Sequence, residues 1–435
     1  MRSRMIPRGI CALLLLFLCV ARAHAVLEIE ITQGVEGGVP IAIAPWRVGP
    51  GEAQPAEDIA ATVSNDLYST GLFSPVDENE FPQRTTRASE INYQLWRNNG
   101  IENIVLGNVR ANTMGGFDVQ FQLLDAIRGR QLAGYSIPVE AGDLRRVAHK
   151  ISDLIFEELT GTPGAFSTRI AYISTQVADN GRNRYVLQIA DYDGYNPVTI
   201  FTSNWPLLSP AWSPDGERIA YVSFENQRPE IYIQEIAGGN RSLTAGPTRL
   251  NSAPAWSPDG ERLALTRSEN GNPDIYILDL NSNLLTRLTD YSSIDTEPVW
   301  TPDGESVIFT SDRSGQPQLY RQSLSGGGPQ RLTFEGSYNA GADVSPDGEQ
   351  LAMVHGNGRG YQIAIKDIDT GAVRVLTDGS LDEGPSFAPN GSVILYATTY
   401  QGRGVLAAVS QDGRVSQRLR LQEGEVREPV WGPLP

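Results

Sequence analysis

Cysteine and histidine are nearly missing from this chain. Its 435 residues hold two Cys and three His, and part of that small stock sits where the mature protein is not expected to keep it. Arg2, Arg4 and Arg8 precede an apolar run from Ile10 to Val20, and Ala23-His24-Ala25 supplies a small-x-small cleavage pattern. The run is too short for a membrane span, so residues 1–25 read as a secretory signal peptide cleaved after Ala25. Cys19 follows Leu18 rather than a small residue, which argues against a lipid-anchored first cysteine. Cys11 and Cys19 leave with the leader, so disulfides, thiol nucleophiles and thiolate metal sites are excluded from the mature chain. Only His149 and His355 remain, without a second His or Cys near either. A packing or surface role is expected for His149, within a helical stretch.

Two further shortages narrow the function. No other long apolar run exists, so no direct membrane insertion is expected. Positive charge is also short: without the leader, 31 basic side chains face 51 acidic ones, a net charge of −20. That field repels nucleic acid and anionic lipid, and no nucleic-acid partner is expected. An exported, cysteine-free, acidic chain suits a bacterial periplasm. There is no Gly-x-Ser-x-Gly elbow either.

What is present falls into two regimes. Residues 26–162 alternate strand-like and helix-like segments and read as an α/β domain. Leu27, Ile29 and Ile31 alternate with Glu28 and Glu30, and Ile41 to Ala44 and Ile101 to Leu106 read as buried strands. Ile59, Val63 and Leu67 share one helical face, as do Leu144, Val147, Ile151, Leu154 and Ile155, with Gly161 and Pro163 as the stop. Residues 117–123 and 131–139 read as a hairpin around Arg128-Gly129-Arg130.

Over residues 163–435 helical spacing disappears. Pro-Ala-Trp-Ser-Pro-Asp-Gly-Glu-Arg occurs at both 210–218 and 254–262, and Pro-Asp-Gly begins at 214, 258, 302 and 346, with Pro-Asn-Gly at 389. The steps between these prolines are 44, 44, 44 and 43. Each anchor is followed by an apolar run and then by two further short strand-like segments. Four strands per unit is the pattern of a β-propeller blade, with Pro-Asp-Gly as the turn between the first two strands. Trp212, Trp256 and Trp300, two residues before the proline, are expected to point at a neighbouring blade. Arg169 to Ser174 matches a second strand that lacks its inner partner, and Glu428 to Trp431 supplies one. Six blades closed by the C-terminal strand are therefore predicted.

Taken together, Val-Leu-Glu-Ile-Glu-Ile-Thr-Gln-Gly (26–34), Phe-Glu-Glu-Leu-Thr-Gly (156–161), Arg-Ile-Ala-Tyr (169–172), Asp-Tyr-Asp-Gly-Tyr-Asn (191–196) and the Pro-Asp-Gly blades resemble the TolB family of the Gram-negative Tol–Pal system. The resemblance spans the whole mature chain in order. It implies a periplasmic adaptor rather than an enzyme, with no cofactor. The implied partners are Pal, on the propeller face, and TolA, through the extreme N-terminus, here Val26, Leu27, Glu28, Ile29, Glu30, Ile31, Thr32 and Gln33. Roles in outer-membrane integrity and cell division follow from the same resemblance. So do further partners among outer-membrane-associated, bacteriocin and phage proteins. Residues 26–34 are expected to exchange between docked and free states, and the protein is expected to be a monomer.

Propeller topology places the partner face independently of the family. The segments before the inner strands must converge on one mouth of the ring. They supply Leu208, Ser209, Leu250, Asn251, Ala253, Thr296, Glu297, Ala340, Asp343 and Glu383, with Asp295, Asp382 and Glu428 beside them. Small residues mixed with carboxylates suit a protruding, donor-rich part of a partner, or a cation. The family's Pal contacts fall at Leu250, Ala253, Thr296 and Glu297, where Leu250 replaces a polar residue. Catalytic and metal sites are not expected. Gly356-Asn-Gly-Arg-Gly360 lies between strands, as a hairpin would. Asp191-Tyr-Asp-Gly194 lacks the distal Glu of a calcium loop. A glycan-binding propeller is the alternative function, and a propeller hydrolase the weaker one.

Overall fold

The computed structural model describes residues 29–33, 37–49, 55, 57–178, 181–245, 250–269, 271–419 and 424–435. The leader and Val26–Glu28 lie outside these residues. The N-terminal unit is a sheet ordered Phe73–Pro75, Val39–Ile43, Asn103–Ala111, Phe117–Asp125 and Arg130–Val139, with Arg47–Val48 also pairing with Asn103–Ala111. The first three strands run parallel and the last three antiparallel. Alternation sends Ile41, Ile43, Val105 and Val109 to one face, against helices α1 (Ile59–Ser69) and α3 (Leu144–Thr160). Ala42, Ile104 and Leu106 go to the other, under Trp96 of the short helix α2 (Tyr93–Asn98), which periodicity alone did not mark. The Asp58 carboxylate caps α1 by accepting from Ala61 N–H at 3.1 Å, and Gly161, at φ 77°, ends α3.

The rest forms six four-stranded antiparallel blades in a ring. Blade 1 is ordered Glu425–Trp431, Arg169–Val177, Asn183–Asp191 and Val198–Ser203, so the chain's last strand is its innermost. Blades 2 to 6 begin with Leu207–Trp212, Leu250–Trp256, Asp295–Trp300, Tyr338–Val344 and Glu383–Phe387. The repeated motifs are local solutions to strand connection. Ser213, Ser257, Thr301 and Ser345 accept from the backbone N–H five residues on, across each Pro-Asp-Gly turn. A Leu-Thr pair also recurs every 44 residues, at 288–289, 332–333 and 376–377, and its threonine does the same for third strands: Thr289 accepts from Ile275 N–H, Thr333 from Leu319 and Thr377 from Ile363. Trp256 and Trp300 reach the preceding blade, donating to Ala211 O and Ala255 O at 3.1 Å.

Two associations link the parts. Ile29–Gln33 pairs antiparallel with Ser416–Leu419, adding a fifth strand to the outer edge of blade 6. The N-terminal unit packs on the Pro-Asp-Gly side of blades 1 and 6, where Asn390 Nδ2 donates to Pro163 O at 3.0 Å and Gly71 backs onto Ser410 and Asp412. Its core continues into the propeller without a break: Val63, Ile151 and Phe156 share one cluster with Phe166, Tyr192, Leu395 and Trp431.

Candidate partner-binding site

The far end of the ring carries a feature repeated six times. In every inner strand the pairing with the second strand slips once, between Leu208 and Ala211, Ser252 and Ala255, Thr296 and Val299, Ala340 and Asp343, Glu383 and Ser386, and Arg427 and Val430. At each slip one residue is left-handed: Ser209 (φ 49°), Ala253 (46°), Glu297 (55°), Gly341 (56°), Gly384 (61°) and Glu428 (51°). Proline follows five of the six, at 210, 254, 298, 385 and 429. A proline cannot donate to a sheet ladder, so it sits where pairing is already interrupted, and a bulge is such a place. This second proline, four residues ahead of the turn proline in four of the five Pro-Asp-Gly or Pro-Asn-Gly motifs, was visible in the sequence and is the signal for the ring of bulges. Left-handed backbone at four non-glycine positions costs about 1–2 kcal/mol each, and it is retained at every one.

All six left-handed residues line one axial cavity of about 560 Å³. The bulges are also stitched around the axis. Glu428 accepts from Ser209 N–H in the next blade, and Glu297 accepts from Gly341 N–H at 3.0 Å and from the Thr310 hydroxyl at 2.8 Å. Burial, with the nearby Glu383 charge, raises the Glu428 pKa above its usual value against the hydrogen bonds from Ser209. Asp343 accepts from Phe387 N–H at 2.7 Å, and burial pushes its carboxyl up to about 6. The Arg427 guanidinium pairs with Glu383 at 3.1 Å.

Of the residues assigned to the mouth by topology, Ser209, Ala253, Glu297, Asp343 and Glu383 meet around this cavity. Leu208, Leu250 and Thr296 are half-buried beside the slips, and Ala340 is buried. Asn251 is fully buried, donating to Pro229 O at 3.2 Å and accepting from Arg267. Its side chain braces the strand instead of facing the opening. Two neighbouring acids depart from the expected carboxylate ring. Asp295 is fully buried against the Arg313 guanidinium at 2.8 Å, and Asp382 is held by the Thr377 and Thr398 hydroxyls at 2.6 Å. Buried charges need partners, and these two have theirs inside the blades. Of the N-terminal residues, Ile29 to Gln33 lie on the edge of blade 6, away from the axis, and Val26, Leu27 and Glu28 are outside the described residues. Among the described residues no group of three or more His, Cys, Asp or Glu side chains is placed to hold a metal ion. No helix among them is long and apolar enough to cross a membrane.

An α/β unit against one side of a six-bladed propeller, with a carboxylate-bearing axial mouth on the other, defines the class: a two-domain β-propeller protein with one open axial site. The TolB amino-terminal domain matches residues 27–132, and the TolB beta propeller domain matches 156–435. The Tol-Pal system protein TolB of Thioalkalivibrio sulfidiphilus is 64% identical over 98% of this chain and 99% of its own. That of Nitrosococcus oceani is 58% identical over 98% of both. The crystal structure of TolB from Acinetobacter baumannii, 42% identical, superposes with a TM-score of 0.86 over 94% of this chain and all of that one. The chain belongs to the TolB family, and its role is in the Tol–Pal system.

Proposed function

We propose that the protein is a periplasmic adaptor, exported with loss of residues 1–25, that holds Pal at the propeller mouth and TolA through residues 26–33. It thereby links the outer membrane and peptidoglycan with the inner membrane, and serves outer-membrane integrity and cell division. The observation that carries the reading is the ring of left-handed bulges. Four side chains in strained backbone, Ser209, Ala253, Glu297 and Glu428, are turned towards one open cavity, and strain kept by surrounding structure concentrates at functional sites. Carboxylates among small residues accept a projecting, donor-rich loop. The N-terminal strand suits a second, separable contact, because it adds to a blade already complete with four strands and can leave without opening it.

Calorimetry with purified Pal tests the mouth. Ala253→Arg fills the cavity, and binding is expected to weaken at least about tenfold, roughly 1.4 kcal/mol. Unchanged affinity would put the contact elsewhere, and binding of isolated glycan strands with Pal left unbound would favour the glycan reading. Deleting residues 26–33 is expected to abolish TolA binding while the propeller melts normally, and retained binding would move that site.

A further inference from the structure

The lone histidine of the N-terminal unit is not a bland packing residue. His149 and Arg145, on successive turns of α3, meet Asp193 from the turn between the third and outer strands of blade 1. Arg145 Nε donates to Asp193 at 3.0 Å, with a second, shorter contact from Nη2, and His149 Nε2 lies 3.3 Å from the same carboxylate. On its other side His149 Nδ1 contacts Asp66 of α1 at 2.9 Å. Asp66 also accepts from Ser152 at 2.6 Å and from the Tyr192 hydroxyl at 2.6 Å. Glu57 completes the pairing of Arg145 at 2.6 Å, and the Arg145 guanidinium stacks 3.6 Å over the Tyr195 ring. Asp66, His149 and Asp193 are each no more than 2% exposed, so their charges are balanced inside the protein and not by water.

The cluster is also tied to ring closure. Tyr192 stacks at 6.0 Å on Trp431, the last strand residue of the clasp, and edge-on against Phe166 at 5.7 Å. Trp431 Nε1 donates to Thr168 at 2.7 Å, and its backbone N–H to Ser386 of blade 6 at 3.0 Å. The connection between the units is held as well, with Phe166 N–H donating to Asp153 of α3 at 2.7 Å. The path from α1 to the axial wall therefore passes through Tyr192, Asp193 and Trp431.

We propose that docking of the N-terminal unit and closure of the propeller ring form one cooperative structural unit, with Asp193 as the pin and Trp431 as its support from the clasp. The C-terminal strand sets the Tyr192–Asp193 turn, the turn holds α1 and α3, and the two units behave as a single rigid body. A surface joint between two separately folded domains would carry fewer buried charges and permit relative motion.

Calorimetry and hydrogen exchange on the full mature chain test this without any partner. The wild type is expected to melt in one transition. Asp193→Asn is expected to split it in two and to speed exchange in residues 161–168 and in α3 by about tenfold or more, with the second strands of blades 3 and 4 protected as before. Should that variant fail to fold, Tyr192→Phe, which removes only the hydroxyl on Asp66, is expected to raise exchange in the same segments. Trp431→Phe keeps the ring stack but loses the bond to Thr168, and a smaller increase there is expected. Two transitions in the wild type, or unchanged exchange in 161–168 and α3 in these variants, would overturn the proposal.

Discussion

Glu297 and Gly341 hold the same place in adjacent blades, 44 positions apart, and the Glu297 carboxylate accepts from the Gly341 N–H at 3.0 Å. One side chain thus faces the axial cavity and fastens two blades. Glu297→Arg is expected to lose partner affinity and also about 0.5–1.5 kcal/mol of stability, since the Thr310 hydroxyl loses its acceptor and the Gly341 N–H keeps only the Thr310 oxygen, at 3.1 Å. Glu297→Gln keeps an oxygen there and is expected to melt close to wild type. Equal melting temperatures for Arg and Gln would show that the stitch carries no weight.

The left-handed ring makes opposite predictions at equivalent positions. At Gly341 a Cβ would meet Val354 and Glu297 only at ordinary contact distances of 3.8–4.0 Å. Gly341→Ala is therefore expected to cost about 1–2 kcal/mol, from backbone conformation alone. Ala253→Gly relieves the same strain and should be neutral or stabilising by up to about 1 kcal/mol. Chemical unfolding of both variants checks the pair, and a destabilising Ala253→Gly would contradict it.

Trp431 packs into the shared core while its strand pairs with Arg169–Val177. Trp431→Ala is expected to cost about 3–5 kcal/mol, and truncation after Gly424 to leave insoluble protein or a far lower melting temperature, because Arg169–Val177 becomes an open edge. A truncated chain with normal melting would remove the clasp.

Charge in the interdomain cluster sets a pH dependence. Burial by itself would lower the His149 pKa, but the Asp66 charge and the hydrogen bonds to Asp193 and Asp66 outweigh it and push it from 6.5 up to about 10. Burial likewise opposes ionisation of Asp193, whose contacts with His149 and Arg145 bring it from 3.8 down to about 2. The histidine contribution is complete below pH 6.5 and is lost as pH rises through 10, and the Asp193 contribution is lost only as pH falls from 3.8 through 2. His149→Gln is expected to cost about 3–5 kcal/mol at pH 7 and distinctly less at pH 10, by urea unfolding at each pH. An equal deficit at both would mean that His149 is neutral.

Local chemistry explains what was legible in the sequence. Pro-Asp-Gly, Leu-Thr and the Trp two residues ahead of three of the turns act through bonds made within a blade or to its neighbour, so a period near 44 announces the blades, their number and their clasp. Topology then brings Ser209, Ala253, Glu297, Asp343 and Glu383 to one mouth, because every inner strand starts at the same end. Tertiary structure decided what each polar side chain does there. Asp295 and Asp382 look equivalent to Glu297 in the chain, yet Arg313 and two threonines, brought close only by folding, turn them inward. His149 offered no signal, since its partners Asp66 and Asp193 lie 83 and 44 positions away in two structural units. A repeat writes its own short-range bonds into the sequence. A buried charge cluster is assembled from distant residues, and only the packed chain shows which carboxylates have lost their water.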